Sequence, residues 1–240
     1  IAVPLQMVSQ TWDDHDRSDR YAARDFGANY LHSLDEKGSP IIFTNGDNDT
    51  FPLWYGQDVE GTRADARVCN LSYLQTDWYT DQMRRPAWNS PGLPITWKRW
   101  EYVDNMGHEM FYVRPQNDIL LQLKKQLREQ GKQDDPFELR YIINNFVRNP
   151  EYGYIPTDSI VMTVDKAAIL KSGMKLVGGK DSIPEKINIS LRGKRLLTKS
   201  EMMIYEMLAN HNWTRPLYMS TTLGTENYAG LDNNLMLEGL

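Results

Sequence analysis

The strongest constraint on the fold is an alternation of short apolar runs with helical patterns. Residues 40–44 form an apolar run that predicts a buried strand, and the polar turn 45–49 leads into a helix that reaches Tyr55. A second apolar run at 66–71 is followed by a helical pattern at 77–84. Short connections in this order are typical of parallel sheets. The sequence therefore predicts an α/β fold with a mostly parallel sheet and flanking helices, in a Rossmann-like three-layer arrangement.

The same alternation returns in the last third of the chain. Further helices are predicted at 17–34, 117–130, 138–147, 166–171 and 198–211, and further strands at 97–102, 110–113, 159–164, 186–191 and 216–220. Proline and glycine interrupt the middle of the chain, where the two strands at 97–102 and 110–113 suggest a hairpin with a turn at 104–107. We therefore expect a lead-in at 1–15 and a single domain at 16–240, with a loop, hairpin and helix insertion at about 85–150.

Composition excludes several classes of protein. The 240 residues are 40% hydrophobic and 25% charged, which is typical of globular chains. The net charge of −5 argues against nucleic acid as a partner, and the single cysteine, Cys69, excludes an internal disulfide. No apolar run approaches the ~20 residues of a membrane-spanning helix. Because the chain starts on Ile1 rather than methionine, we expect a fragment of a longer protein.

The densest polar cluster follows the first predicted strand and comprises Asn45, Asp47, Asn48 and Asp49. Ligands of parallel sheets bind at the carboxyl ends of strands, and two nearby carboxylates can hold a hard cation. The same residues can instead form an Asx turn with Asp49 or Thr50 capping the helix. A structural cap, a bound ion or polar ligand, and a catalytic site therefore all stay open. No cofactor is expected beyond a divalent cation at this turn.

A second charged cluster precedes and enters the predicted helix 17–34. It comprises Asp13, Asp14, Asp16, Arg17, Arg20 and Arg24. The carboxylates suit a helix N-terminus, and the three arginines are spaced to share a helix face and pair with Asp13, Asp16 or Asp47. The arginines can alternatively hold a phosphate or a sugar. A metal-dependent hydrolase that uses Asp47, Asp49, Asp14 and His15 is an alternative, although the four histidines of the chain lack metal-ligand spacing.

Aromatic side chains crowd the first half of the chain. They include Trp54, Tyr55, Trp78, Tyr79, Trp88, Trp97, Trp100 and Tyr102. Most large aromatic residues belong to a core, with the polar atom of the ring satisfied by a partner. Exposed rings can instead stack on a sugar. An interaction module that binds peptide or glycan on the predicted insertion would display a contiguous exposed aromatic patch.

Several segments carry a resemblance to a known family. They are WDDHDRS at 12–18, the helix start at 21–26, IFTNGDNDTFPLWY at 42–55, the stretch 68–72, TDWYTDQM at 76–83, NWTRPLY at 212–218 and the stretch 230–239. Together they resemble the soluble C-terminal region of a Bacteroidetes family of multi-pass membrane proteins. That family is described as protein O-mannosyltransferase-like and was long known only as a domain of unknown function. The similarity touches most of the chain outside 85–150.

The resemblance implies a parent protein with many transmembrane helices and a lipid-linked sugar donor. Its catalytic carboxylates would lie in the membrane part, so no catalytic residue is assigned in this chain. The implied location is the periplasmic side of the bacterial inner membrane. The implied partners are the protein's own transmembrane region and an acceptor polypeptide or glycan. We therefore expect an accessory domain that is inert by itself, while the parent protein is a glycosyltransferase.

Overall fold

The computed structural model describes residues 2–103, 109–176 and 178–238. The helices are α1 (Ala2–His15), α2 (Ala22–Ser33), α3 (Asp47–Asp58), α4 (Asp77–Met83), α5 (Asn117–Glu129), α6 (Leu139–Ile142), α7 (Lys166–Ser172) and α8 (Lys199–Asn210). The strands are β1 (Ile41–Thr44), β2 (Arg67–Asn70), β3 (Met110–Val113), β4 (Tyr154–Ile155), β5 (Ser159–Thr163), β6 (Lys186–Ser190), β7 (Leu196–Thr198) and β8 (Leu217–Met219). None of the described helices has the length and hydropathy that crossing a membrane requires.

The described strands form three small sheets. The first has the order β2-β1-β8 and is entirely parallel, with Ile41 opposite both Arg67 and Leu217. The second has the order β4-β3-β7, with one parallel and one antiparallel pair, and the third is the antiparallel pair β5-β6. The chain therefore has a mixed α/β fold with parallel strands. One continuous Rossmann-like three-layer sheet is not confirmed.

The burial of the strand residues explains why the strands form separate sheets. All four residues of β1 and all four of β2 are buried, as expected for strands covered on both faces. In β5 the residues Ile160 and Met162 are buried, whereas Ser159 and Thr163 are exposed. A strand that faces solvent on one side suits a separate antiparallel pair.

Strand β1 separates two parts of the core. Ile42 packs with Leu31 of α2 and Val68 of β2 in a small cluster beneath α2 and α3. Ile41 and Phe43, on the opposite face of β1, belong to the main cluster that also contains the buried side of α8. Alternate residues of one strand therefore hold the helices on the two sides of the first sheet.

Residues of the predicted insertion at 85–150 belong to the main core. Leu93, Trp97, Phe111 and Leu139 lie in the same hydrophobic cluster as Phe43. The predicted strand at 97–102 is wrong, because the chain there forms a loop and a short 3-10 turn at Arg99–Glu101. The predicted hairpin is therefore wrong as well: β3 pairs with β4 and β7. The predicted turn at 104–107 lies outside the described residues.

The carboxylate of Glu101 stabilises that turn. It accepts hydrogen bonds from the backbone N–H of Lys98 at 2.6 Å and from Nε of Arg148 at 2.6 Å. Burial raises the pKa of Glu101, but the bonds from Arg148 and Lys98 outweigh it, and the pKa is lowered overall. Arg148, which is distant in the sequence, thus holds the segment around Glu101 in place of the predicted strand pairing.

The segment 1–15, expected to be a lead-in, is helical from Ala2, and none of the residues of α1 is buried. Pro4 lies in the first turn, where its missing N–H costs no helical hydrogen bond. The predicted helix at 17–34 begins only at Ala22. The expected boundaries between a lead-in at 1–15 and a domain at 16–240 stay predictions.

Helices α2 and α3 approach closely at a glycine. A Cβ atom at Gly27 would lie 2.3 Å from the carbonyl oxygen of Pro52 in α3. Further along, a Cβ atom at Gly56 would lie 2.9 Å from Cδ1 of Leu31. The small residues therefore set the distance between the two helices that cover one face of β1.

We predict that Gly27→Ala lowers the free energy of unfolding by about 2–3 kcal/mol, because the new methyl group meets backbone that cannot move aside. Urea unfolding would measure the change. Asn29→Ala, at an exposed position of the same helix, should stay within about 0.5 kcal/mol of the wild type. Equal stability of the Gly27→Ala variant would contradict the close packing of α2 and α3.

Candidate functional site

The polar turn after β1 lies where the three strands of the parallel sheet end. The turn at 45–46, the loop that follows β2 and the loop that follows β8 meet at this edge. The carboxyl ends of parallel strands are the usual place for a ligand in an open α/β sheet. The edge therefore qualifies as the candidate site.

The Asp49 carboxylate is the centre of the site and is only 5% exposed. It accepts hydrogen bonds from the backbone N–H of Gly46 at 2.8 Å and of Asn45 at 3.2 Å. The hydroxyl of Thr222, beyond β8, donates to it at 2.8 Å, and Ser220 Oγ lies at 3.4 Å. The Asp49 carboxylate thus connects the turn after β1 to the loop after β8 by hydrogen bonds.

The sequence predicted the wrong residue as the N-cap of α3. Helix α3 begins at Asp47, and Gly46 is its N-cap, whereas Asp49 or Thr50 was expected. Asp49 is the third residue of the helix and binds the N–H of the N-cap residue, as the acidic member of a capping box does. Glycine has no side chain to return the bond, so only the Asp49 half of the capping box forms, and the loop after β8 donates further hydrogen bonds to the carboxylate.

A buried polar network lies directly below Asp49. The hydroxyls of Thr44 and Thr50 are 2.7 Å apart, and Nδ2 of Asn70 donates to Thr50 at 2.9 Å. Oδ1 of Asn70 accepts from the backbone N–H of Tyr73 at 3.0 Å. These bonds join β1, β2 and α3, and they satisfy polar groups that would otherwise be costly to bury.

The other predicted residues of the turn are more open. Asp47 and Asn48 are exposed and Asn45 is half-buried. The hydroxyl of Tyr73 donates to Oδ1 of Asp47 at 3.2 Å, and partial burial together with the Asp47 charge raises the pKa of Tyr73. Asn48 lines an open cleft of about 450 Å³, together with Asn45 and Asp49.

The second predicted cluster does not join this site. Asp13 and Asp14 lie exposed in the last turn of α1, where Nη1 of Arg17 donates to the carbonyl of Asp14 at 2.6 Å. Asp16 accepts from the N–H of Ser18 at 2.9 Å, and hydrogen bonds from the Ser18 side chain and then from this N–H lower the pKa of Asp16.

The expected arginine pairing is also wrong. Arg24 pairs with Glu60 at 2.5 Å and with Asp25 at 3.7 Å, whereas Asp13, Asp16 or Asp47 was expected. Arg17 precedes α2, so it shares no helix face with Arg24. Within the ranges that the structure describes, no three histidine, cysteine, aspartate or glutamate side chains are grouped to hold a metal ion.

Sequence reasoning missed a row of aromatic rings beside the turn, formed by Phe51, Trp54, Tyr73 and Trp78. Their ring centroids are separated by 5.7, 6.2 and 6.0 Å in that order. Phe51 and Trp78, at the two ends, are 46% and 57% exposed. The three-residue spacing of Phe51 and Trp54 on one helix was visible in the sequence, but their contact with Tyr73 was not. We call these four rings the aromatic row.

The aromatic row lies outside the place where the sequence suggested a patch. Within the predicted insertion, Trp97 and Tyr102 are buried in the core, while Trp88 and Trp100 are exposed. Trp88 forms one wall of a cavity of about 210 Å³ whose other wall includes Trp54 and Arg67. The cavity therefore extends the aromatic row toward β2.

We predict that Asp49→Asn lowers the free energy of unfolding by about 2 kcal/mol, because the amide keeps only one acceptor oxygen for donors on two loops. Asp47→Asn, at an exposed carboxylate with a tyrosine partner, is the control and should change stability by less than about 0.5 kcal/mol. Urea unfolding of both variants would measure the difference. An unchanged Asp49→Asn variant would show that the carboxylate does not hold the loops together.

The metal hypothesis has a separate test on the same residues. If the turn holds a divalent cation, Ca²⁺, Mg²⁺, Mn²⁺ or Zn²⁺ should raise the melting temperature of the wild type, and an Asp47→Ala/Asp49→Ala variant should lose that rise. The donors around Asp49 lead us to expect no such rise. A rise that the double variant abolishes would revive the hydrolase alternative.

The comparison with protein families assigns the chain to a family. The model of the family described as TMEM260-associated domain 2 matches residues 23–240. No curated protein and no solved structure matches the chain. Because the family model covers α2 and every later element of the fold, the chain belongs to the TMEM260-associated domain 2 family.

Proposed function

We propose that this chain is an extracytoplasmic accessory domain of a TMEM260-like protein O-mannosyltransferase and presents the acceptor polypeptide or glycan to the membrane-embedded part. The family match and the resemblance of residues 42–55 to protein O-mannosyltransferase-like proteins support this role. The proposed location is the periplasmic side of the bacterial inner membrane. The proposed partners are the protein's own transmembrane region and the acceptor.

The aromatic row is the observation that carries the binding part of the proposal. Sugar rings have apolar C–H faces that stack on aromatic rings, and hydroxyl groups that need polar partners at the edge. Trp78 and Phe51 are about half exposed, and the exposed Asp47 carboxylate is linked to the same row through Tyr73. Large aromatic rings with a polar group at the rim are typical of recognition surfaces.

The hydrogen bonding of the Asp49 carboxylate supports an accessory role rather than a catalytic one. Its two oxygens already accept hydrogen bonds from the turn after β1 and the loop after β8. A catalytic base or metal ligand needs an oxygen that reaches the substrate or ion. We therefore propose that the chemistry resides in the membrane-embedded part of the parent protein and that this domain contributes binding.

Binding to the aromatic row can be tested on the chain itself. We expect a mannosylated serine or threonine peptide to perturb the NMR signals of the tryptophan side chains, with Trp54 and Trp78 affected most. Trp78→Ala and Phe51→Ala should each weaken binding about 5- to 10-fold, which is the loss of one ring contact. Trp100→Ala, an equally exposed ring outside the row, is the matched control and should bind normally.

The accessory role has its own readout in the complete membrane protein. Row variants should raise the KM for the acceptor and leave kcat unchanged, because they remove binding that is equal in the ground and transition states. If the Trp100→Ala control loses as much acceptor binding as the row variants, or if the wild type binds no acceptor, the aromatic row is not the binding surface. A fall in kcat alone would point to chemistry in this domain.

A further inference from the structure

Another cavity lies against β1 and β8 and includes no residue of the polar turn or the aromatic row. It has a volume of about 280 Å³, close to the lower end of the ~300–1,000 Å³ range of small-molecule sites. Its walls come from β1 and β8, from the β5-β6 pair and from the last turns of α8. The cavity therefore occupies the junction between two of the three small sheets.

The lining of this cavity is mostly apolar. Phe43 and Met219 contribute from the parallel sheet, Met162 and Ile187 from the antiparallel pair, and Leu208 from α8. Three of these side chains, Phe43, Met162 and Leu208, are buried in the main core. A cavity walled by leucine, isoleucine, methionine and phenylalanine favours a hydrocarbon occupant over water.

One buried polar side chain lines this apolar cavity. His211, just after α8, is 6% exposed, and its Nδ1 has no hydrogen-bond partner. The imidazole ring lies 4.7 Å from the ring of Trp213, which also lines the cavity. A buried nitrogen without a partner costs free energy that a ligand can recover by forming a hydrogen bond.

The imidazole of His211 is uncharged near neutral pH. Burial lowers the pKa of His211 to about 4; a hydrogen bond with the backbone of Leu208 acts against this change, and the nearby positive charge of Arg140 acts with it. A neutral imidazole has one nitrogen that donates and one that accepts. It therefore suits a hydroxyl group, which can either donate or accept a hydrogen bond.

The backbone beside His211 adopts a conformation that bulky residues rarely adopt. Asn212 and Trp213 have φ angles of +52° and +56°, in the left-handed region. Two such residues in succession turn the chain immediately after α8, between His211 and β8. Strained backbone of this kind is concentrated at ligand sites and switch regions.

Two of the charged residues that line the cavity, Asp35 and Arg215, are already engaged, and the third, Lys175, is exposed to solvent. Both oxygens of Asp35 accept backbone N–H bonds, from Lys37 at 3.0 Å and from Lys175 at 2.5 Å. The guanidinium of Arg215 donates to the carbonyls of Ser39 at 2.8 Å and Gly92 at 2.9 Å. A ligand that brings its own charge would have to displace these contacts, so an uncharged ligand is favoured.

We propose that this cavity is a binding site for an uncharged amphiphile with a short hydrocarbon chain and one hydroxyl group. The chain lies among Phe43, Met162 and Met219, and the hydroxyl forms a hydrogen bond with the imidazole of His211. The site is distinct from the aromatic row and does not depend on the proposed function of that row.

The probe that matches this chemistry is 1-octanol, with octanoate as the charged analogue of the same length. Calorimetric titration should give saturable binding of 1-octanol and at least tenfold weaker binding of octanoate, because burying a carboxylate in an apolar cavity is costly. NMR should show contacts between the octanol chain and the methyl groups of Met162 and Met219. Equal binding of the two probes, or contacts elsewhere, would overturn the proposal.

Two variants separate filling of the cavity from recognition of the hydroxyl. Leu208→Trp should abolish binding by occupying the cavity, whereas Leu121→Trp on the exposed face of α5 should bind normally. His211→Phe keeps the apolar walls and should weaken octanol binding about tenfold through the lost hydrogen bond. If Leu208→Trp does not fold, the methyl contacts in the wild type still decide where the probe binds. Full affinity of His211→Phe would refute the role of the imidazole.

Discussion

The carboxylate of Asp49 is the contact on which the arrangement of the first sheet depends. It accepts hydrogen bonds from the turn after β1 and from Thr222 in the loop after β8, which is distant in the sequence. These bonds fix the start of α3 on the sheet edge. The orientation of α3 in turn places Phe51 and Trp54 beside Tyr73, so the aromatic row exists because the turn is held.

Buried charges hold the middle of the chain to the same core. Glu206 of α8 is fully buried and accepts from both the N–H and the hydroxyl of Thr96, at 2.7 and 2.6 Å. Glu101 is held in turn by Arg148. Since a buried carboxylate without hydrogen-bond donors is costly, these contacts specify where the loop before β3 must lie. The segment that the sequence suggested as an insertion is thereby joined to α8.

The two proposed binding surfaces have opposite chemistry and share no residue. The aromatic row is open to solvent and has a carboxylate at its rim, which suits a hydroxyl-rich acceptor. The cavity near His211 is apolar, with one polar nitrogen that lacks a partner. Phe43 of β1 lines the cavity, and Ile42 on the opposite face of the strand belongs to a cluster against which Trp54 packs.

The sequence by itself determined the elements whose signals are local. The buried runs that became β1 and β2 and the helical patterns at 117–130 and 198–211 that became α5 and α8 follow from residue spacing. It also singled out the polar turn that contains Asp49. Only the tertiary structure decided how the strands divide into three sheets, which loop binds Asp49 and which rings form the aromatic row. Those outcomes depend on contacts between residues far apart in the chain, and periodicity within a single element carries no information about such partners.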